Sequence, residues 1–412
     1  MTDSCPENGS KVTIINHPLK FGGKVKNHKL LGLVSIFAAF SILLTSCSSS
    51  ENKAGEESAA PVTKYVPTGK YVINPQYSNV NRFSDGLAAV QQNGLWGYVG
   101  IDGKMAIEPQ FDYAYSFTDG KALVALGSGE DAKYGFIDKT GLFTLNPTFD
   151  DAWFFSEGLV SIGIRSGNKT KYGYVDSDGK YVINPQYDAS YGFSEGLASY
   201  RVGDYDTGKW GFIDKTGKQV TPAQFKEVTD YKNGFATVAI ESKVKGQTVL
   251  RYGAIDKTGK YVINPTYEAM GSYSGELFPV KEKNKWGYID KTGKYVINPK
   301  YTTANSFSES LASVCTGTYD ELSNGVTCGY IDTTGKIIIP LQFPTAADFS
   351  NGVAVIGSGE YDENYEGRKY GYVDSTGTII INPQFDSANN FYEGRAAVSI
   401  GTGDSVRWGF IS

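Results

Sequence analysis

One short motif occurs nine times along the 412-residue chain, and this repetition restricts the fold more than any other feature. Its clearest copy, "KWGYIDKTGKYVINPKY", occupies residues 285–301, and successive copies are spaced 34, 38 or 42 residues apart. A repeat of this length forms one supersecondary unit, which buries its apolar faces only by stacking on its neighbours. The chain is therefore predicted to form a single repeat array. In each copy a bulky anchor precedes a glycine, and the anchors are Trp96, Tyr134, Tyr172, Trp210, Tyr252, Trp286, Cys328, Tyr370 and Trp408.

Each copy contains three short segments, of the types "FSEGLVSI", "WGYID" and "KYVINPQY". They are rich in β-branched and aromatic residues and are bounded by Gly, Asn, Asp or Pro, which is typical of β-strands. In the turn "DKTG", an Asp such as Asp214 accepts backbone N–H bonds and a Gly such as Gly217 supplies a positive φ. Since no segment shows a sustained helical period, we predict an all-β fold of nine three-stranded antiparallel meanders.

The first and second segments of each copy are predicted to pair as a hairpin in a fixed register. A two-residue turn at Asn93-Gly94 places Gln91 opposite Trp96, and the corresponding positions elsewhere lie 5, 9 or 13 residues apart. Steps of four residues add two residues to each strand, which preserves the side-chain face and hydrogen-bonding class of every pair. The other predicted pairs are Ala125/Tyr134, Gly163/Tyr172, Arg201/Trp210, Ala239/Tyr252, Lys281/Trp286, Cys315/Cys328, Gly357/Tyr370 and Ser399/Trp408.

The pair Cys315/Cys328 carries a further prediction. Directly opposed residues of an antiparallel hairpin lie within the Cα distance that a disulfide tolerates. We therefore predict a cross-strand disulfide between Cys315 and Cys328. The alternative is two free thiols, with Cys328 simply replacing the anchor aromatic.

Two overall arrangements of the repeats are open: an open superhelical array, or a closed ring like a β-propeller. The first copy begins near "PTGKYVINPQY" at Pro67 without a clear first segment, and the last copy stops at "RWGFIS" without a third segment. Nine complete units exist only if the N-terminal strand completes the C-terminal unit, so the closed ring is favoured.

The N-terminal part of the chain differs from the repeats. Four lysines precede a low-polarity run from Leu30 to Leu44, and "LTSC" ends at Cys47. This pattern is typical of a secretory signal of the lipoprotein type, in which Cys47 is lipidated and becomes the first mature residue. The predicted organisation is a signal peptide at 1–46, a lipidated Cys and flexible tether at 47–66, and the repeat domain at 67–412. The alternative is an ordinary signal or anchor helix. The lipoprotein interpretation places the protein on the bacterial cell envelope, anchored in the lipid bilayer.

The motifs resemble the WG-repeat family, a bacterial repeat named for the Trp-Gly pair seen at Trp96-Gly97, Trp210-Gly211, Trp286-Gly287 and Trp408-Gly409. The resemblance covers residues 67–412. It implies β repeats on an exported or lipid-anchored protein, and it contributes no catalytic residue.

Composition argues against several classes of function. Removal of residues 1–46 leaves 34 basic and 42 acidic residues, a formal net charge of −8, which disfavours nucleic-acid binding. It also removes both histidines, so nucleophile–histidine catalysis and histidine-containing zinc sites are not expected. "DSDG" at Asp176 resembles a fragment of a calcium loop but lacks the remaining oxygen ligands, so no metal or cofactor is predicted.

The predicted function is a non-enzymatic scaffold that binds a protein or glycan ligand through its variable hairpin tips. The alternatives are a purely structural envelope protein and, less favoured, a carboxylate-dependent glycan-active enzyme. Acids outside the repeat pattern, such as Asp151, lie in tips or connections, where a solvated loop is the default interpretation. The candidate binding residues are Trp153, Tyr319, Tyr361 and Tyr365.

Overall fold

A computed structural model describes residues 67–412 and shows nine β-sheets arranged as the blades of a closed β-propeller. The predicted all-β fold and closed ring are confirmed. In chain order the elements are β1 Tyr71–Tyr77, β2 Asn79–Val80, β3 Leu87–Gln92, β4 Leu95–Gly100, β5 Met105–Phe111, β6 Tyr113–Ala114, β7 Ala122–Leu126, a 3₁₀ helix Gly129–Asp131, β8 Lys133–Ile137, β9 Phe143–Phe149, β10 Asp151–Ala152, β11 Leu159–Ser166, β12 Lys169–Asp176, β13 Tyr181–Tyr187, β14 Ala189–Ser190, β15 Leu197–Val202, β16 Lys209–Asp214, β17 Gln219–Phe225, β18 Glu227–Val228, β19 Phe235–Val244, β20 Gln247–Asp256, β21 Tyr261–Tyr267, β22 Ala269–Met270, β23 Phe278–Glu282, β24 Lys285–Ile289, β25 Tyr295–Tyr301, β26 Thr303–Ala304, β27 Ala312–Gly317, β28 Val326–Ile331, β29 Ile337–Phe343, β30 Val353–Ser358, β31 Lys369–Asp374, β32 Ile379–Phe385, β33 Ser387–Ala388, β34 Ala396–Ile400, a 3₁₀ helix Gly403–Ser405 and β35 Arg407–Ile411.

Every predicted hairpin pair is present in the register that the sequence indicates. Gln91 lies opposite Trp96, Arg201 opposite Trp210 and Cys315 opposite Cys328, and the other six pairs agree as well. Blades 1 to 7 are β2–β5, β6–β9, β10–β13, β14–β17, β18–β21, β22–β25 and β26–β29; blade 8 is β30–β32, and blade 9 is β33–β35 together with β1.

Eight blades contain a short strand that the three predicted segments do not include. It is two residues long and pairs with the first segment, as Asn79 and Val80 do with Gln91 and Val90 in blade 1. In blade 8 a single bridge between Ala346 and Ile356 takes its place. Because only two residues pair, this strand has no alternating pattern that the sequence alone would reveal.

The ring closes because β1 pairs with β35 in blade 9. At this seam the rings of Phe83 and Phe410 meet edge to face with centroids 4.8 Å apart. The Gly86 amide donates to the Glu393 carboxylate at 2.9 Å. Residues separated by more than 300 positions thus contact each other as neighbouring blades do elsewhere, and the open superhelical array is excluded.

The glycine after each anchor lies where the register of the second and third strands shifts and their backbones approach closely. A Cβ built on Gly97 would lie 2.4 Å from the carbonyl oxygen of Ile107, a distance that real Cβ atoms essentially never show. In blade 1 the register of the ladder shifts between Trp96 and Tyr98. In all nine copies the nearest atom is a backbone oxygen of the third strand, at 2.3–2.7 Å from the Cβ position, and the glycines are Gly97, Gly135, Gly173, Gly211, Gly253, Gly287, Gly329, Gly371 and Gly409.

Aromatic pairs hold neighbouring blades together. Tyr98 of blade 1 packs on Phe117 of blade 2 with ring centroids 4.9 Å apart, and its buried hydroxyl donates to the Tyr115 carbonyl at 2.9 Å. The core therefore lies between the sheets. Equivalent ring pairs elsewhere are Phe136/Phe155, Tyr174/Phe193, Phe212/Tyr231, Tyr288/Phe307, Tyr330/Phe349, Tyr372/Phe391 and, at the seam, Phe410/Phe83.

The repeated acidic residues stabilise turns and blade contacts. Asp214 accepts the Thr216 hydroxyl at 2.6 Å and the Lys218 amide at 3.0 Å, and these bonds lower the pKa of Asp214. Asp176 of "DSDG" accepts the amide of Lys180 in the same way. In the "FSEG" turns, the Glu195 carboxylate accepts the Gly234 amide of the next blade at 2.9 Å. These acids thus recur because every repeat forms the same turn and the same contact with the next blade.

The structure contains the Cys315–Cys328 disulfide, with an S–S distance of 2.10 Å, and both residues are buried. We expect its reduction to lower the free energy of unfolding by about 3 kcal/mol, because it closes a loop of about 14 residues in the unfolded chain. Denaturant unfolding with and without a reductant, together with mass spectrometry of non-reduced peptides, measures this. A Cys315→Ser/Cys328→Ser variant should not respond to the reductant. An equal response of variant and wild type would show that the effect lies elsewhere.

Candidate functional site

Several of the sequence predictions concern residues outside the described range. The signal peptide at 1–46, the lipidated Cys47 and the tether at 47–66 all lie outside residues 67–412. Within the described residues, no helix has the length and apolar character required to cross a bilayer.

Neighbouring blades contact each other at the edge that carries the short strands. The residues just after these strands bond directly from one blade to the next: the Asn81 amide donates to the Ala114 carbonyl at 3.0 Å, and the Ser306 hydroxyl donates to the Ser272 carbonyl at 2.9 Å. We call this edge of the ring the inner rim.

One sector of this inner rim is aromatic. The residues that follow the short strands of blades 2, 3 and 4 are Tyr115, Trp153 and Tyr191. Phe154, beside Trp153, is 41% exposed and packs on Tyr115 with ring centroids 5.2 Å apart. The corresponding residues of the other blades are Asn81, Thr229, Gly271, Asn305, Ala347 and Asn389.

A shallow cleft, open to solvent, lies between blades 3 and 4, within this aromatic sector. Trp210 stacks on Tyr191 with ring centroids 4.9 Å apart and an angle of 6° between the ring planes. Trp153 meets Tyr191 edge to face at 5.4 Å. Three aromatic rings from two blades thus form one continuous surface. We call this site the aromatic cleft, and its lining residues include Asp151, Trp153, Tyr172, Tyr191, Arg201 and Trp210.

Arg201 is the cationic residue of the aromatic cleft. It lies opposite Trp210 in the hairpin register, with its guanidinium 5.5 Å from the Trp210 ring and 5.7 Å from that of Tyr205. Its stem runs past Gly208, where a Cβ would lie 3.0 Å from the Arg201 Cδ. The Arg201 Nε is buried without a hydrogen-bond partner in the described part of the chain, and none of the ion pairs found there includes this residue.

Asp151 and Tyr172 supply further polar groups. The Tyr172 hydroxyl donates to the Asp151 carboxylate at 2.6 Å. Burial, followed by the nearby Asp151 charge, raises the pKa of Tyr172, so its hydroxyl keeps its proton. The aromatic cleft therefore presents a cationic donor, a carboxylate acceptor and apolar ring faces to one small volume. This combination suits the binding of a ring-shaped polar molecule.

The four candidate binding residues lie at different places in the structure. Trp153 lies in the aromatic cleft, and Tyr319 is 46% exposed at the hairpin tip of blade 7. Tyr361 bonds to the Tyr370 hydroxyl and lies 4.0 Å under the Arg368 guanidinium, while the Tyr365 hydroxyl donates to the Glu321 carbonyl at 3.4 Å. The Tyr361 backbone, which exchanges two hydrogen bonds with the Asn324 side chain, and the Tyr365 hydroxyl thus hold the tips of blades 7 and 8 together. The aromatic anchors Trp96, Tyr134, Tyr172, Trp210, Tyr252, Trp286, Tyr370 and Trp408 are all partly buried.

Sequence reasoning missed Tyr191 and Arg201. A signal for Arg201 was present, because it is the only arginine among the nine residues predicted to lie opposite an anchor. Tyr191 gave no such signal. Its role depends on the stacking of Trp210 from its own blade and the approach of Trp153 from blade 3.

Asp230, on the inner rim of blade 5, provides a pH-dependent test of the fold. Burial raises its pKa to about 6, so the folded state favours the neutral acid. The stability associated with this proton is complete below about pH 4 and is lost as the pH rises through 6. We expect Asp230→Asn to raise the free energy of unfolding by about 2 kcal/mol at pH 8 and to have little effect at pH 4.

Thermal unfolding from pH 4 to 8 measures this dependence, with Asp214→Asn as the matched control. Hydrogen bonds from Thr216 lower the pKa of Asp214, so the control should be destabilised at neutral pH and approach the wild type as the pH falls. A pH-independent effect of Asp230→Asn would contradict the assigned cause.

Comparison with solved structures supports the propeller architecture. A crystal structure described as that of the eukaryotic initiation factor is 12% identical over 77% of this chain and 89% of its own, with a TM-score of 0.51. A chain from a structural analysis of two prolyl endopeptidases matches at 10% identity over 74% of this chain and 54% of its own, with a TM-score of 0.40. Kluyveromyces lactis Hsv2 matches at 11% identity over 73% of this chain and 98% of its own, with a TM-score of 0.34. At these identities the first similarity shows the fold alone. No curated protein matched the sequence.

The family described as "WG containing repeat" matches nine times, once for each copy of the motif. The matched residues are 67–96, 96–128, 134–168, 172–205, 210–243, 252–286, 286–317, 329–359 and 370–401. These matches span most of the chain, and each runs from one blade into the next. The protein therefore belongs to the family built from WG-containing repeats.

Proposed function

We propose that the protein is a non-enzymatic interaction scaffold, anchored by a lipid on Cys47 to the bacterial cell envelope, that binds a protein or glycan ligand. The observation that carries this proposal is the aromatic cleft, because three of its residues, Trp153, Tyr191 and Arg201, do not follow the repeat. The inner-rim positions of Trp153 and Tyr191 are occupied by Thr229 and Gly271 in blades 5 and 6. A purely structural protein would not require aromatic rings and an arginine to be concentrated in one sector of the ring.

The repeated polar residues, in contrast, are used by the scaffold itself. The carboxylates of the "DKTG" turns cap their own turns, as at Asp214, and those of the "FSEG" turns accept amides of the next blade, as at Glu195. Recognition then depends on the variable positions, which are the aromatic cleft and the hairpin tips.

The carboxylate-dependent enzyme remains less favoured. Glycoside hydrolysis ordinarily needs two carboxyl groups flanking the scissile bond. Asp151 is the one carboxylate among the lining residues of the aromatic cleft, and its contact with the Tyr172 hydroxyl supports a binding role.

Binding of the full-length protein, purified in detergent, to a glycan array and to immobilised envelope proteins tests the proposal. Saturable binding that Trp153→Ala abolishes is the expected result. Trp286→Ala, which alters an anchor in a blade without the inner-rim rings, is the matched control. Absence of saturable binding in both assays would support the purely structural role.

A further inference from the structure

We infer that the aromatic cleft is a subsite for an acidic sugar, a pyranose residue that carries a carboxylate. This inference rests on the proposed binding function and specifies its ligand class. It is argued from Arg201, from the aromatic surface and from the polar groups beside them.

Arg201 provides the determinant for the acid. A guanidinium presents its donors in a planar fork that matches a carboxylate in a bidentate manner. In the described residues this fork forms no ion pair, and its buried Nε has no hydrogen-bond partner. A buried donor without a partner is unfavourable, and a ligand carboxylate relieves this cost on binding.

The position of the guanidinium is fixed before any ligand arrives. The rings of Trp210 and Tyr205 lie 5.5 and 5.7 Å from it, and the stem passes the backbone of Gly208. Such contacts reduce the conformational entropy that the side chain loses on binding. The aromatic cleft thus holds a preorganised anion-binding group.

The other lining groups favour a sugar over a simple anion. One face of a pyranose consists largely of C–H groups, which pack on aromatic rings such as Trp153 while the hydroxyls stay polar. Asp151 accepts hydroxyl hydrogens, as its bond from Tyr172 at 2.6 Å demonstrates. A carboxylate next to Arg201 and hydroxyls next to Asp151 match the charges of the aromatic cleft.

Titration of the full-length protein with uronic-acid oligosaccharides and with their neutral counterparts tests this inference. We expect the acidic oligosaccharides to bind and the neutral ones to bind at least about tenfold more weakly. Arg201→Gln should weaken acidic binding by about 10- to 100-fold, and Arg201→Lys, which keeps the charge but loses the fork, should fall between. Lys281→Gln, at the same register position opposite Trp286, is the matched control and should bind like the wild type.

The outcomes separate this inference from the proposed function. Equal affinity for acidic and neutral sugars, or acidic binding that survives in Arg201→Gln, would overturn the acidic-sugar subsite and leave the scaffold proposal standing. Arg201-dependent binding of a peptide with a free C-terminal carboxylate, without sugar binding, would do the same. Absence of binding to sugars, peptides and envelope proteins would overturn both. Unchanged unfolding midpoints of the variants would exclude loss of folding as the cause.

Discussion

Deletion of β1 is expected to lower the free energy of unfolding by at least about 4 kcal/mol and to make the protein prone to aggregation. Ile73 and Tyr77 of β1 are each 4% exposed, and burial of a large apolar side chain stabilises a fold by about 1.5–3 kcal/mol. Removal of β1 also leaves one edge of β35 unpaired, because the two strands form one ladder while β34 pairs with the other edge. An exposed strand edge is a template for pairing with other chains.

The experiment compares a chain that begins at Asn79 with a control that begins at Pro67 and keeps every strand of the described residues. Denaturant unfolding and size-exclusion chromatography measure stability and aggregation. A synthetic peptide of residues 67–78 should raise the unfolding midpoint progressively as its concentration increases, since it binds only the folded chain. The same peptide with Ile73→Asp should not. Equal stability of the two chains would show that the ring does not depend on its closing strand.

The hairpin register was predictable because it follows from local sequence. The separations of 5, 9 and 13 residues specify which residues face each other, and all nine pairs are observed, including Cys315 with Cys328. Ring closure was also predictable, because the missing first segment at one end and the missing third segment at the other complement each other. Both predictions depend on counting positions within strands, which the period of two residues makes reliable.

The aromatic cleft was not predictable in the same way. Trp153 stood out in the sequence because it precedes two phenylalanines, but its partner Tyr191 lies 38 residues away in the next blade. Tyr361 and Tyr365 stood out as tip residues, yet both contact the protein itself. Whether an aromatic side chain is left for a ligand depends on how neighbouring blades pack. That packing is absent from any single repeat.

The close approach of the third strand to the second explains why each anchor is followed by glycine. It also predicts a second substitution with a large effect on stability. In blade 5, a Cβ at Gly253 would lie 2.4 Å from the carbonyl oxygen of Ile263 and 2.7 Å from the Pro265 nitrogen. Both atoms belong to the backbone of β21, so no side-chain rotation relieves the contact. Gly253→Ala is therefore expected to lower the free energy of unfolding by at least about 3 kcal/mol, because the two strands must separate or bend.

The same hairpin offers a matched control that separates crowding from loss of backbone freedom. Gly246, at its tip, has a φ of +83° and no atom within 4 Å of its Cβ position. Gly246→Ala should therefore show only the penalty for an L-residue in the left-handed region, about 1–2 kcal/mol. Gly253 does not have a positive φ, so its larger expected effect comes from the contact with the backbone of β21 alone. Denaturant unfolding measures both variants. If Gly253→Ala lowered the free energy of unfolding less than Gly246→Ala does, the close approach of the third strand would not be the reason for the glycine, and the explanation of the repeated aromatic-Gly pair would fail.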